Sequence, residues 1–360
     1  MTSRGLLDLI ICRIPGLSVR ERVTLCTKFE KEDEIAILFR EDIEKILGRP
    51  VSRRPWTMDA VRREAEKDAA AARIRGMAWV SCVSPGYPPL VREIYDPPAV
   101  LFYRGKLPDA GRPAVAVVGT RRPGPGAAAA AFDMARYLGR RGIPVVSGLA
   151  LGIDAMAHRG NLEGGVPGAA VLGSGVDEIY PASNRPLARR ILEAGGALIS
   201  EYPPGTPPRP WRFPARNRII SALARGTVIV QAPEKSGALL TAAFALEQGR
   251  DLWVAAAGLD SAGTVKLAAD GAGVLRSARS ILREWNMDGG AESDDGAASD
   301  GSAASDGSAA SEGGAASDGS AASEGGMAER GADGARGEFP GGKDLAFSLA
   351  RALDIEVEGT

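Results

Sequence analysis

Residues Ala114–Gly126 read AVAVVGTRRPGPG, and Pro144–Gly152 read PVVSGLALG. The first stretch is a short apolar strand, Ala114–Val118, that runs directly into Gly119-Thr120-Arg121-Arg122. Gly124 and Gly126 follow, and then an alanine-rich helix. The second is another apolar strand ending in Ser147-Gly148, with Gly152-Ile153-Asp154 opening a further helix. Strand, glycine turn, helix and strand in this order specify a parallel α/β unit. Glycine lets the backbone approach a phosphate closely, and the following helix offers unsatisfied N–H groups. Two arginines inside the turn point to a polyanionic ligand, although a purely structural tight turn would use the same glycines.

The pattern continues outward. Short apolar runs near 114–118, 144–147, 168–172, 197–200, 227–231 and 252–256 alternate with helical stretches near 126–141, 152–163, 185–194, 216–224, 238–248 and 264–270. Near-continuous apolar strands indicate a mostly parallel sheet covered on both faces. The expected class is therefore α/β, an extended Rossmann-like sheet over residues 113–285. Upstream, residues 1–75 read as a small all-helical, SAM-like module. Pro15-Gly16 breaks its first helix, and Ser18 with Glu21 forms a capping box for the second. Residues 76–112, with Pro88-Pro89, Pro97-Pro98 and an apolar strand near Val100–Tyr103, read as an extended lead-in. Residues 286–340 are Gly/Ala/Ser-rich, with an acidic residue every six positions (Asp294, Asp300, Asp306, Glu312, Asp318, Glu324), and are expected to be a disordered linker. A short helical stub is expected at 341–360.

The net charge of −1 conceals a division. Residues 286–360 hold 4 basic and 16 acidic side chains, so 40 of the 44 basic and 29 of the 45 acidic residues lie in 1–285, a net of +11. A basic body suits nucleic acid, though arginine-rich surfaces also accompany alanine-rich composition. No apolar run reaches the roughly 20 residues that span a bilayer. Three scattered cysteines and no secretion signal fit a reducing cytoplasm. A single histidine, His158, excludes a multi-histidine metal site. No cofactor or metal is expected.

Better-known nucleotide motifs fail at the first loop. Pro125 stands where a P-loop lysine would reach the terminal phosphates. Arg121 occupies the second glycine position of the dinucleotide fingerprint, and no acidic residue closes the second strand to grip a ribose. A second constellation is RPWRFPARNRIIS, Arg209–Ser221. Its arginines Arg209, Arg212, Arg216 and Arg218 interleave with Trp211 and Phe213. Cations meet phosphates and aromatic faces stack on unpaired bases. Arg216, Asn217 and Arg218 are expected at the start of a helix, with Ile219, Ile220 and Leu223 facing the core. A third is Ser236-Gly237, a glycine turn feeding a helix. Asp154 and His158, four apart on a helix, are neighbours. Ser147 would complete a catalytic triad with them, but nothing positions it as a nucleophile, and such a pair more often locks a loop.

The blocks VGTRR, VSGLALGIDAMAH, AVLGSGVDEIYPASN, SEYPPG, FPARNRIIS and SGALLTA, in this order over about residues 80–275, resemble the DNA-processing protein A (DprA/Smf) family. The resemblance implies a non-catalytic protein that binds single-stranded DNA without sequence preference, forms a homodimer, and helps load the RecA recombinase during natural transformation. The DNA-facing residues it implies are Gly119, Thr120, Arg121 and Arg122 in the first loop and Ser147 and Gly148 in the second. Arg212, Phe213, Arg216, Asn217 and Arg218 would come from the arginine-rich block, and Ser236 and Gly237 from the third. The chain departs from the family pattern in Pro123-Gly124-Pro125-Gly126, which replaces a Ser-x-Tyr-Gly run. It also has Ala257-Gly258 for Pro-Gly, and the acidic repeat stands where a winged-helix domain is common. The competing resemblance is to nucleoside-monophosphate phosphoribohydrolases on a similar core. Those carry Pro-Gly-Gly-x-Gly-Thr-x-x-Glu after the fifth strand, where this chain has Ser236–Thr241 and Phe244 in place of the catalytic glutamate.

Overall fold

In the computed structural model, which describes residues 4, 6–52 and 55–288, five helices come first. They are α1 (Leu7–Arg13), α2 (Val19–Lys28), α3 (Glu32–Ala36), α4 (Arg40–Leu47) and α5 (Met58–Ile74). The Ser18–Glu21 capping box is formed, and Thr57 caps α5 through its hydroxyl. Next come β1 (Ala78–Ser81), α6 (Pro89–Arg92), β2 (Val100–Gly105), β3 (Val115–Val118), α7 (Pro125–Arg140), β4 (Val145–Ser147), α8 (Ile153–Glu163) and β5 (Ala169–Val171). The chain continues with α9 (Arg185–Glu193), β6 (Ala197–Ser200), α10 (Arg212–Ala222), β7 (Gly226–Ile229) and α11 (Gly237–Glu247). It closes with β8 (Asp251–Ala255), α12 (Ala262–Ala269), β9 (Gly273–Leu275) and α13 (Arg279–Glu284).

All nine strands join one sheet in the order β1-β2-β6-β5-β4-β3-β7-β8-β9. From β6 to β9 every pairing is parallel, while β2 lies antiparallel to β6 and β1 antiparallel to β2. This is the Rossmann-like class expected from the sequence. The segment 76–112 is more than a lead-in, because it adds two antiparallel strands that extend the sheet. Strand β3 sits where the order reverses, with β4 on one side and β7 on the other. In open α/β sheets, the loops after the strands part at such a point and leave a crevice.

Alternation along β3 shows how the layers are held. Ala116 and Val118 pack with Val146, Ile219, Ile220 and Leu239 on one face, and the same core takes in Leu7, Ile10 and Ile14 of the N-terminal helices. Val115 and Val117 pack with Ala131, Leu138, Ile153 and Ile281 on the other. Every strand residue of β3–β7 is buried, as a doubly covered sheet requires. Helices α1–α5 therefore share a core with the sheet, and the described residues up to Met287 form one compact unit. The acidic repeat and the stub expected at 341–360 lie outside the described residues.

Candidate nucleic-acid interface

The loops after β3, β4 and β7 and the start of α10 enclose a cleft of about 510 Å³ at the order reversal. Its walls include Gly119, Thr120, Arg121 and Arg122 from the first loop, Ala150 and Asp154 from the second, Phe213, Arg216 and Asn217 from α10, and Lys235, Ser236 and Gly237 from the third. Two helices start at its rim. Pro125 occupies the first helical position of α7 behind Gly124, and Ser236 caps α11 by accepting a hydrogen bond from the Ala238 amide. The positive ends of both helix dipoles thus lie beside the cleft.

The first loop is held by Gln231, two residues beyond β7. Its backbone carbonyl accepts from the Thr120 amide at 2.8 Å, and its side-chain Oε1 accepts from the Gly124 amide at 3.0 Å. Gln231 Nε2 in turn donates to Asp260 at 2.7 Å. The second loop is held by Asp154, whose Oδ2 accepts from the amides of Gly148 and Ala150 at 3.1 and 3.3 Å. Asn184 adds two bonds from its amide nitrogen, to the carbonyls of Leu149 and Ala150. Asp154 locks the loop through these backbone amides; it is not paired with His158, whose ring nitrogens have no hydrogen-bond partner among the described residues. Gly152, at φ +73°, lets this loop pass the first, since a Cβ there would lie 2.5 Å from the Thr120 carbonyl oxygen.

Arg216 forms the floor. It is buried, and its Nη1 donates to the Gly148 carbonyl at 2.7 Å and to the Val171 carbonyl. Its guanidinium lies against Gly148 so closely that a Cβ on that glycine would be 2.5 Å away. Burial, opposed by the Asp154 charge and reinforced by Arg121, pulls Arg216 down to about 10. Desolvation dominates at Asp154 too and raises its carboxyl above the usual range, against the pull of Arg216. Arg121, Arg122 and Lys235 are exposed, and none of them takes part in an ion pair among the described residues. The Phe213 ring stands between Arg121 and Arg216, with guanidinium carbons 5.9 and 6.0 Å from its centroid, and Tyr180 leans on it at 5.5 Å. The cleft is a concentration of positive charge with one buried carboxylate, an arrangement able to hold an anion and to stack a planar group.

Nine residues expected from the sequence meet here: Gly119, Thr120, Arg121, Arg122, Phe213, Arg216, Asn217, Ser236 and Gly237. Four are placed elsewhere. Ser147 is fully buried, and its hydroxyl donates to the Val117 carbonyl at 2.7 Å. Gly148 is buried beneath the Arg216 head. Arg212 is half-buried and lies against Tyr202 and Trp211 rather than in the cleft wall. Arg218 is buried in a bidentate pair with Glu201, at 2.9 and 2.7 Å, and also meets Asp96 at 2.9 Å. Helix α10 starts at Arg212, so Arg216–Arg218 lie inside it rather than at its N-terminus. Gln231, Asn184 and Lys235 were not expected. Lys235 stands next to the Ser236-Gly237 turn, and its charge was the available clue.

His158 is buried beneath this region, and desolvation, aided by the Arg216 charge, pulls its pKa from 6.5 to about 4. The folded chain thus holds a neutral imidazole where the unfolded chain is protonated. The stability this supplies is full above pH 6.5 and is lost as pH falls toward 4, by about 3 kcal/mol at the end of that window. Because His158 is the chain's single histidine, its ring proton resonance can be followed directly by NMR. A titration below pH 5 is expected, and one near 6.5 would refute the burial.

A profile of the DNA recombination-mediator protein A family matches residues 78–286, from β1 to just beyond α13. The chain belongs to this family. Among relatives, DNA processing protein DprA of Bacillus subtilis (strain 168) is 40% identical over 220 residues, 60% of this chain and 73% of that protein. Protein Smf of Synechocystis is 42% identical over 205 residues, 55% of this chain and 51% of that one. The X-ray structure of DprA from Streptococcus pneumoniae superposes with a TM-score of 0.61 at 32% identity, covering 78% of this chain and 94% of that one. DprA from Helicobacter pylori, whose structure is described for its single-stranded DNA binding mode, superposes at 0.50 with 28% identity, covering 59% and 96%. Membership of the DNA recombination-mediator protein A family gives the chain a DNA-processing role. Helices α1–α5 lie outside the matched stretch. Among the described residues, no helix is long and apolar enough to cross a membrane.

Proposed function

We propose that the cleft binds single-stranded DNA without reading its sequence, and that the chain is a cytoplasmic recombination mediator. In this reading it protects incoming strands and helps load the RecA recombinase during natural transformation. It works as a homodimer, so that two clefts share one strand and gain avidity. The observation that carries the reading is the exposed trio Arg121, Arg122 and Lys235, without carboxylate partners among the described residues, above the buried Arg216 and beside Phe213. Cations would neutralise phosphates and the ring would stack on an unpaired base. No catalytic step is assigned to the cleft. Phe244 occupies the place of the phosphoribohydrolase glutamate, and the Asp154 Oδ2 is engaged by two amides.

The test is titration of labelled single- and double-stranded oligonucleotides across a salt series. Preference for the single strand is expected, with log affinity falling by roughly 0.7 per log unit of salt for each phosphate neutralised. Equal or tighter binding of duplex would sink the reading. Release of free base from AMP would instead support the enzyme. RecA assembly on single strands, followed with and without the chain, tests the loading step separately.

A further inference from the structure

We propose that Trp211 is a second base-stacking point, outside the cleft, that takes an unpaired nucleobase on a nucleotide neighbouring the one held at Phe213. This rests on the reading of the cleft as a single-strand site.

Trp211 stands at the N-cap of α10, two residues before Phe213, and is 62% exposed. The other tryptophans are buried (Trp253, Trp285) or half-buried (Trp56, Trp79). An indole is a large apolar surface, and leaving it in water forgoes the stabilisation its burial would bring. This one is nevertheless held in place. Tyr202 meets it edge-on, with centroids 6.4 Å apart at 84°, and the Arg212 guanidinium lies 4.8 Å from the centroids of both rings. Arg212 is fixed in turn by donating from Nη1 to the Pro207 carbonyl. The indole is therefore ordered from behind and presented to solvent.

The neighbours decide what covers it. A protein-docking residue would sit among other exposed apolar groups. Here the groups against the ring are Tyr202 and the Arg212 guanidinium, and the exposed Arg209 lies two positions before it in the chain. Cations flanking an open aromatic face match a phosphate backbone carrying unstacked bases. Phe213 is less available. Its ring is backed by Gly173, where a Cβ would come within 2.9 Å, and is covered in part by Tyr180 and two guanidinium groups. The two rings would thus hold successive bases, the inner one enclosed and the outer one open.

The experiment compares the full chain with its Trp211→Ala and Trp211→Phe variants. Binding of thymidine oligonucleotides is measured by anisotropy, and a matched set carries single abasic sites. The expected result is a loss of roughly 5- to 100-fold in Trp211→Ala, largely restored in Trp211→Phe. One abasic position should weaken the unsubstituted chain but add nothing to the loss in Trp211→Ala. Equal melting temperatures check that the fold is unchanged. Wild-type affinity in Trp211→Ala overturns the proposal while leaving the cleft reading intact. Absence of single-strand binding by the unsubstituted chain overturns both.

Discussion

Arg218→Ala should destabilise the folded chain by roughly 3–5 kcal/mol, the cost of breaking a buried ion pair from one side. Arg218 is 4% exposed, and its guanidinium joins three segments. It donates twice to Glu201 beyond β6, contacts the backbone and carboxylate of Asp96 before β2, and donates to the Ala215 carbonyl one turn back in α10. These partners hold Arg218 charged and raise its pKa against desolvation. Its removal strands two carboxylates in a partly dry site. The melting temperature should drop by on the order of 10 °C. The deficit should shrink as pH falls and the stranded carboxylates take up protons. Replacing the pair with apolar residues, Arg218→Met with Glu201→Leu, should recover much of the loss. A melting temperature unchanged in Arg218→Ala would show that the triad does not hold the sheet to α10.

The opposite outcome is expected on the exposed side of the cleft. Arg121→Ala combined with Arg122→Ala should keep the fold and weaken single-strand binding by about 10- to 100-fold. The salt slope should fall by roughly 1.4 as two phosphate contacts disappear. Both side chains are exposed, and Arg121 repels Arg216, so stability should hold or rise slightly when they go. Loss of function with gain of stability is the mark of a residue kept for its ligand. Anisotropy at several salt concentrations, paired with thermal melts, checks both halves. Unchanged affinity would remove the first loop from the interface.

These two arginine sites show what the sequence conveyed and what it hid. The central strands were legible because each is a short apolar run between glycine turns, and the first loop was legible because its arginines follow a strand end directly. Strands β1 and β9 were missed. Only half of β1 is buried, and β9 is a three-residue stretch that begins with Gly273 and has two exposed residues. The start of α10 lies before the expected 216, at Arg212, with Pro214 inside its first turn, where proline costs no intrahelical bond. The burial of Arg216 and Arg218 was not legible at all. It depends on Gly148, Val171, Glu201 and Asp96, whose separations in sequence run from 17 to 122 residues. An arginine in a basic run looks solvated until its carboxylate and carbonyl partners are brought to it.

The reversal of strand order at β3 has a kinetic consequence. Gly124 must meet Gln231 across 107 positions, and Arg216 must reach Gly148 across 68. Contacts so distant along the chain are closed late, because loop entropy opposes them until neighbouring strands have paired. A chain emerging from the ribosome can complete β3, α7 and β4 and still possess no cleft. The cleft is therefore expected to form late in folding, so that a ligand would meet either a finished site or none.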